Sequence, residues 1–194
     1  YGTILKLDND KLSIYADGVR NSVGFDWHPE TKEMYFTDNG RDWMGDDIPP
    51  CELNRVVNAG DHFGFPFIHG KNIPDTGYEA PRDFVFSQPV WEFQAHTAPL
   101  GIKFYDGESF PEYYKNGAFV AQHGSWNRSE KVGYRLLFMK MEEGDVVSAD
   151  VFIDGWMSNE TSWGRPVTPL ILKDGSMLIS DDQADSIIRV TYKG

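Results

Sequence analysis

The sequence predicts an all-β fold, a β-propeller of four-stranded antiparallel blades of which the chain holds a little over three. Three observations carry this. Apolar and polar residues alternate over short runs bounded by Gly, Pro, Asn and Asp, which is strand periodicity. Aromatic residues reach 14%, and 19 Gly with 11 Pro imply many turns rather than a helical bundle. The pattern also repeats: FDWHPETKEMYFTDN at Phe25–Asn39 and LILKDGSMLISDD at Leu170–Asp182 both read apolar strand, tight turn, apolar strand, then Asp. Four-strand units recurring roughly every 45 to 75 residues mark a propeller, whereas a two-sheet sandwich demands no such similarity.

The elements follow in chain order. Gly2–Asp8 and Lys11–Asp17 form a hairpin turning at Asn9 and Asp10, and give a first blade its strands within residues 2–17. A second blade spans 22–94. Val23, Phe25 and Trp27 alternate along Ser22–His28, Pro29–Lys32 turns, and Glu33–Asp38 returns. Glu52–Val57 follows an acidic loop, and Val90–Gln94 closes the blade. Between them, Asn58–Gln88 is rich in Gly, Pro, Asn and aromatics without a helical period, a long loop of the kind that serves function or wraps a face.

A third blade, 99–154, takes Leu100–Tyr105, Ala118–Gln122, Arg135–Met141 and Val151–Asp154, with room for a helical turn in Asp106–Asn116. Val167–Leu172, Met177–Ser180 and Ser186–Tyr192 supply three strands of a last blade within 166–192. About thirteen strands make a little over three blades, below the usual range of about 4–8 for a closed ring. Tyr1 lies directly in strand-like sequence with no initiator Met or signal peptide before it. The expectation is a processed or truncated chain, completed by further N-terminal blades or by a partner edge.

A net charge of −12 speaks against nucleic-acid binding and against attraction to anionic membrane surfaces. No apolar run approaches the roughly 20 residues of a spanning helix, so no membrane insertion is expected. Cys51 is the single cysteine, which excludes an intrachain disulfide and a cysteine-based zinc site.

Strand parity selects a functional face. If strands A to D of a blade alternate in direction, the D–A and B–C connections leave from the same end. Arg20-Asn21, His96-Thr97 and Trp163–Arg165 lie in D–A connections. Asn39-Gly40-Arg41, the His123–Arg128 run HGSWNR and Asp181–Gln183 lie in B–C connections. The A–B turns HPETKE and KDGS carry ordinary turn residues. Arg20, Arg41, Arg128 and Arg165 suit planar recognition of carboxylates, and Trp126 and Trp163 can cover a flat conjugated ring. In the loop DWMGDDIPPCE, Asp46, Asp47 and Glu52 repel one another unless a cation is present, and their oxygens suit calcium. A solvated acidic loop is the alternative.

GVRNSVGFDWHP, TDNGRDWMGDD with the following PP and ELN, FGFP, HGSWNR, GRPV and DGSMLISDDQADSIIRV resemble the soluble PQQ-dependent sugar dehydrogenases, in particular their aldose and sorbosone dehydrogenase-like branch. The likeness runs over almost the whole chain. It implies a six-bladed propeller with the quinone on the top face at the axis, the face that parity selects. It also implies a periplasmic or secreted enzyme that oxidises a sugar hydroxyl or aldehyde hydrate with PQQ and calcium; the electron acceptor is not implied.

By that resemblance Arg20 and Asn21 form the family's Arg-Asn motif, Asn39 is an amide beside the cofactor, and Arg165 faces a cofactor carboxylate. Arg128 falls near a cationic residue of the HGSWNR loop, and Thr97 lies on the rim with His96 beside it. His123 is placed by parity alone, on the same face, as a supporting donor. Gly40 and Arg41 match the pair whose carbonyls hold the cofactor-bound calcium, although glucose-oxidising members have proline at the second position. Asp46, Asp47 and Glu52 lie where relatives bind structural calcium.

The family's general base, a histidine after an aspartate in an early blade, matches none of His28, His62, His69, His96 or His123 and is expected upstream of Tyr1. A calcium-dependent propeller lactonase and a non-catalytic ligand-binding propeller are the alternatives; the lactonase has no need of several cofactor-facing arginines. Asn127-Arg-Ser and Asn159-Glu-Thr match the glycosylation sequon, a match that carries no weight.

Overall fold

Residues 2–194 are described by a computed structural model; the expectation that Tyr1 begins within a strand lies outside them. β1 (Ile4–Asp8) and β2 (Lys11–Asp17) pair antiparallel. Their turn holds Asn9 and Asp10 at φ 45° and 63°, the left-handed conformation these two residue types tolerate best after glycine. The second sheet has the order β3 (Phe25–Trp27), β4 (Met34–Asp38), β5 (Cys51–Val56), β9 (Trp91–Phe93).

The intervening stretch departs from a plain loop. It contributes β6 (Asp61–His62), which adds in parallel to β2, and the small hairpin of β7 (Ile68–His69) and β8 (Ile73–Pro74). Its Gly, Pro and aromatic composition hid pairings this short.

The third sheet runs β10 (Pro99–Phe104), β11 (Ala118–Gln122), β12 (Arg135–Glu142), β13 (Asp145–Ile153), with one 3-10 turn at Glu112–Tyr114 inside the expected insertion. β13 starts at Asp145 rather than Val151, because Glu143 and Gly144, at φ 52° and 88°, turn the chain straight back on β12. A second hairpin not expected from the sequence joins β14 (Met157–Ser158) to β15 (Thr161–Ser162). The last sheet is β16 (Pro166–Ile171), β17 (Met177–Asp181), β18 (Ser186–Val190).

The core lies between neighbouring sheets. Tyr35, Leu53 and Phe93 of the second sheet pack on Phe104, Val120 and Met139 of the third. Phe119, Leu136 and Phe138 of the third pack on Met177 and Ile179 of the last. Each such side chain, fully buried, contributes about 1.5–3 kcal/mol. The innermost strands approach so closely that side chains are excluded. A Cβ on Gly24 would stand 2.3 Å from the Leu100 carbonyl oxygen, and one on Gly101 would stand 2.2 Å from Thr168 Oγ1. β3, β10 and β16 are thus laid side by side, each delivering its preceding loop to the same end.

Candidate functional site

The loops ahead of β3, β10 and β16 meet those following β4 and β11 at a pocket of about 260 Å³. Arg20, Asn21, Asn39, Gly40, His123 and Arg165 line it. So do Asp42, Cys51, His96, Trp126 and Asn127. Thr97, Arg41, Arg128, Asp46, Asp47 and Glu52 are not among its lining residues.

A buried carboxylate at the end of the second strand of a blade fixes the loop before the first. Asp38 Oδ2 accepts the Arg20 N–H at 2.8 Å and Oδ1 the Asn21 N–H at 2.6 Å. Asn39 Nδ2 donates to the Asn21 carbonyl at 2.9 Å. Asp181, at the same place on β17, accepts the Arg165 N–H at 2.9 Å and the Ala184 N–H at 2.8 Å. A Cβ on Gly164 would lie 2.3 Å from Asp181 Oδ2, so this loop requires glycine. The middle blade has Gln122 at that position, and there backbone bonds take over: His123 N–H to Ala98 O at 2.9 Å and Gly124 N–H to Thr97 O at 3.0 Å.

Burial pushes the Asp38 carboxyl up to about 6, against the pull of these N–H donors. Glu52 is its partner in the β4–β5 register and is also buried. Glu52 accepts the Gly70 N–H at 2.6 Å and Asn54 Nδ2 at 2.9 Å, and burial, helped by Asp38, pushes it to about 7.

The four arginines have different fates. Arg20 donates to the Asn39 carbonyl at 3.0 Å and to Asp42 at 3.1 Å. Asp42 in turn accepts Asn127 Nδ2 at 2.9 Å, which leaves Asn127 Oδ1 buried without a partner. Arg165 donates to the carbonyls of His123 at 3.1 Å and Gly124 at 2.6 Å, over the Tyr134 ring. Among the described residues no carboxylate lies within ion-pair distance of its guanidinium.

Arg41 turns away to Asp75, which also meets His69 Nε2 at 2.8 Å. Burial acts to raise the Asp75 carboxyl, but the Arg41, His69 and Gly77 donors outweigh it and hold the group well below the usual carboxylate range. Arg128 binds the Asp46 carbonyl and Asp47, at 3.0 Å from the latter, instead of entering the pocket.

The acidic loop therefore differs from the expectation of a calcium cluster. The cation beside Asp46 and Asp47 is a guanidinium from the next blade, while Glu52 lies in the sheet against Gly70. Among the described residues no three His, Cys, Asp or Glu side chains are grouped to hold a metal ion.

Thr97 is fully buried and its hydroxyl donates to the Gln94 carbonyl at 2.9 Å, whereas its neighbour His96 reaches the pocket and contacts the Gly45 carbonyl at 2.7 Å. His123 Nδ1 faces the Pro166 carbonyl at 3.2 Å, and a carbonyl only accepts, so Nδ1 carries the proton. Burial, then Arg165, lowers its pKa and keeps the ring neutral at pH 7. Gly40 is required where it stands, since a Cβ would meet the Pro50 oxygen at 2.5 Å.

Sequence reasoning gave no role to Asp38, Asp42 or Asn127. The Asp closing both copies of the repeated motif was the signal for Asp38; nothing local pointed to the others.

The sheets are arranged as blades of a β-propeller, the fold of the solved AA12 structures, of which the chain covers about half. Residues 53–192 match the TrAA12-like family, and the chain belongs to it. A Borreliella burgdorferi protein is 44% identical over 194 residues, covering 97% of this chain and 51% of that protein. A calcium structure of the AA12 enzyme of Trichoderma reesei has a TM-score of 0.72 at 22% identity, covering 91% of this chain and 53% of that one. The holo PQQ domain of a Coprinopsis cinerea pyranose dehydrogenase has a TM-score of 0.66 at 16% identity, covering 93% and 56%. At these identities the structural likeness establishes the fold. The chain spans about half the length of the relatives it matches.

Proposed function

We propose that the pocket is one share of a quinoprotein active site, and that the complete protein oxidises a sugar hydroxyl or aldehyde hydrate with PQQ and calcium. One observation carries this reading: Arg165 holds a positive charge at the pocket wall, fixed by two carbonyls and, among the described residues, matched by no carboxylate within ion-pair distance. Such a charge fits a flat, polycarboxylate ring. When bound, the quinone supplies the hydride acceptor and calcium a Lewis acid.

The chain's own groups do the holding. Arg165 and Arg20 orient carboxylates, and Asn21 and Asn39 present amides, the Asn21 backbone fixed by the Asp38 clamp and Asn39 tied to the Asn21 carbonyl. The Gly40 and Arg41 carbonyls are the calcium ligands that the family resemblance assigns. Neutral His123 keeps its proton on Nδ1 and serves as a supporting group beside Arg165. The proton-accepting histidine belongs, in this reading, to the remainder of the propeller.

No helix among the described residues is long and apolar enough to cross a membrane. A secreted or periplasmic setting and a small sugar substrate follow from the family resemblance. The test is reconstitution of the full-length protein with PQQ and calcium, followed by dye reduction with a sugar panel. Absence of both a bound-cofactor spectrum and turnover would sink the reading.

A further inference from the structure

The rim of the pocket carries an aromatic pair of which Trp126 alone has a place in the cofactor reading; Trp43 has none. Trp43 is 81% exposed and Trp126 64% exposed, and their rings meet edge to face with centroids 5.5 Å apart. Trp126 lines the pocket; Trp43 stands beyond it, on the solvent side. Exposed indoles held together at the mouth of a polar pocket mark a binding surface rather than a core.

The backbone points the same way. Trp43 sits at φ 67°, a left-handed conformation unfavourable for a bulky side chain, and strain of this kind gathers at functional sites. Trp163 offers a contrast: its ring stacks on buried Trp156 and its N–H donates to the Gly155 carbonyl at 2.7 Å, so its place is explained within the chain.

The neighbours of the pair complete the chemistry. Asp42 precedes Trp43 and Asn127 follows Trp126; the two are hydrogen-bonded to each other at 2.9 Å and both line the pocket. Indole faces take the apolar C–H face of a pyranose ring, while polar side chains beside them, such as Asp42 and Asn127, take its hydroxyls.

We propose that Trp43 and Trp126 form a platform that stacks a second sugar ring, so that the substrate is an oligosaccharide gripped through at least two rings. This rests on the sugar-oxidising reading above and deepens it.

Binding without turnover tests it. The full-length protein, free of PQQ, is titrated with glucose, cellotetraose, maltotetraose, N-acetylglucosamine and chitotetraose, followed by indole fluorescence and calorimetry. At least one tetrasaccharide should bind roughly tenfold or more tightly than its monosaccharide. Trp43→Gly should erase that difference and Trp43→Phe should keep most of it. The thermal midpoint of Trp43→Gly should not fall, because glycine adopts this backbone freely.

No tetrasaccharide preference in the unmodified protein, or a preference that survives Trp43→Gly, overturns the platform. So does a Trp43→Gly variant whose lost affinity is for PQQ instead. A protein that binds tetrasaccharides but never PQQ removes the quinoprotein reading alone, so the two failures are distinct.

Discussion

Asp38 and Asp181 stand at equivalent places in two blades and make the same clamp, each accepting the backbone N–H of an arginine in the loop before the blade's first strand. The arginines so held, Arg20 and Arg165, lie on the pocket wall. Site geometry is thus set by carboxylates that face the chain rather than the ligand.

Asp181→Ala leaves the Arg165, Gln183 and Ala184 N–H groups without their acceptor. Each buried donor left unsatisfied costs about 1–3 kcal/mol, and water will rescue some of it, so the variant should lose about 2–4 kcal/mol in urea unfolding. An unchanged midpoint would refute the clamp.

Glu52→Gln should be stabilising, increasingly so as pH rises. The folded-state pKa of Glu52 is pushed to about 7 from an ordinary 4.5, so the stability this side chain permits is full below about pH 4.5 and is lost as pH climbs through 7. Glutamine removes that loss, and its amide finds a ready acceptor in Asn54 Oδ1, now buried and unpaired, once the Asn54 amide turns over. The gain above pH 7 should be of order 1–3 kcal/mol in thermal melts across a pH series. A gain that shrinks with rising pH would contradict this.

His28 gives a slope of opposite sign. Its buried ring accepts the Glu30 and Thr31 N–H groups on Nδ1, both at 3.2 Å, and burial lowers its pKa below 6.5. Below pH 6.5 the unfolded chain takes up a proton that the folded one refuses, so stability falls as pH drops. Asparagine can supply the same acceptor without titrating. His28→Asn should flatten the acid limb while losing about 1–2 kcal/mol at pH 8 from ring packing against Phe104. Parallel acid limbs in the two proteins would exclude His28 as the source.

Arg165→Lys keeps the charge but not the fork that donates to the His123 and Gly124 carbonyls. On the proposed quinoprotein reading, PQQ affinity of the full-length protein should weaken roughly tenfold or more, read from cofactor fluorescence titration. Retained affinity would show that the guanidinium plane is not what holds the ligand.

Alternation and turn chemistry made most strands legible, and parity alone grouped the loops that carry Arg20, Asn39, His123 and Arg165. The three carboxylates of the acidic loop show where local reading ends. Their mutual repulsion did call for a cation, but the cation beside Asp46 and Asp47 is Arg128, from a blade some way along the chain, and Glu52 had already left the loop for the sheet. Asn127 and Asp42 were invisible for the same reason, since each acquires its place from the other. The first half of strand β13 and the pieces within 58–88 were missed because short or half-exposed strands leave little hydrophobic contrast.

The ties between the acidic loop and the next blade are Asp42 to Asn127, Asp46 to the Ser129 N–H, and Asp47 to Arg128. The Asp47 side chain is 85% exposed, so dissolved ions reach that contact and screen it over about 8–10 Å at moderate salt. The Asp38 clamp is buried and is screened far less. One pocket therefore has a lip tuned by ionic strength and a floor indifferent to it. Brine loosens the entrance before it disturbs the seat.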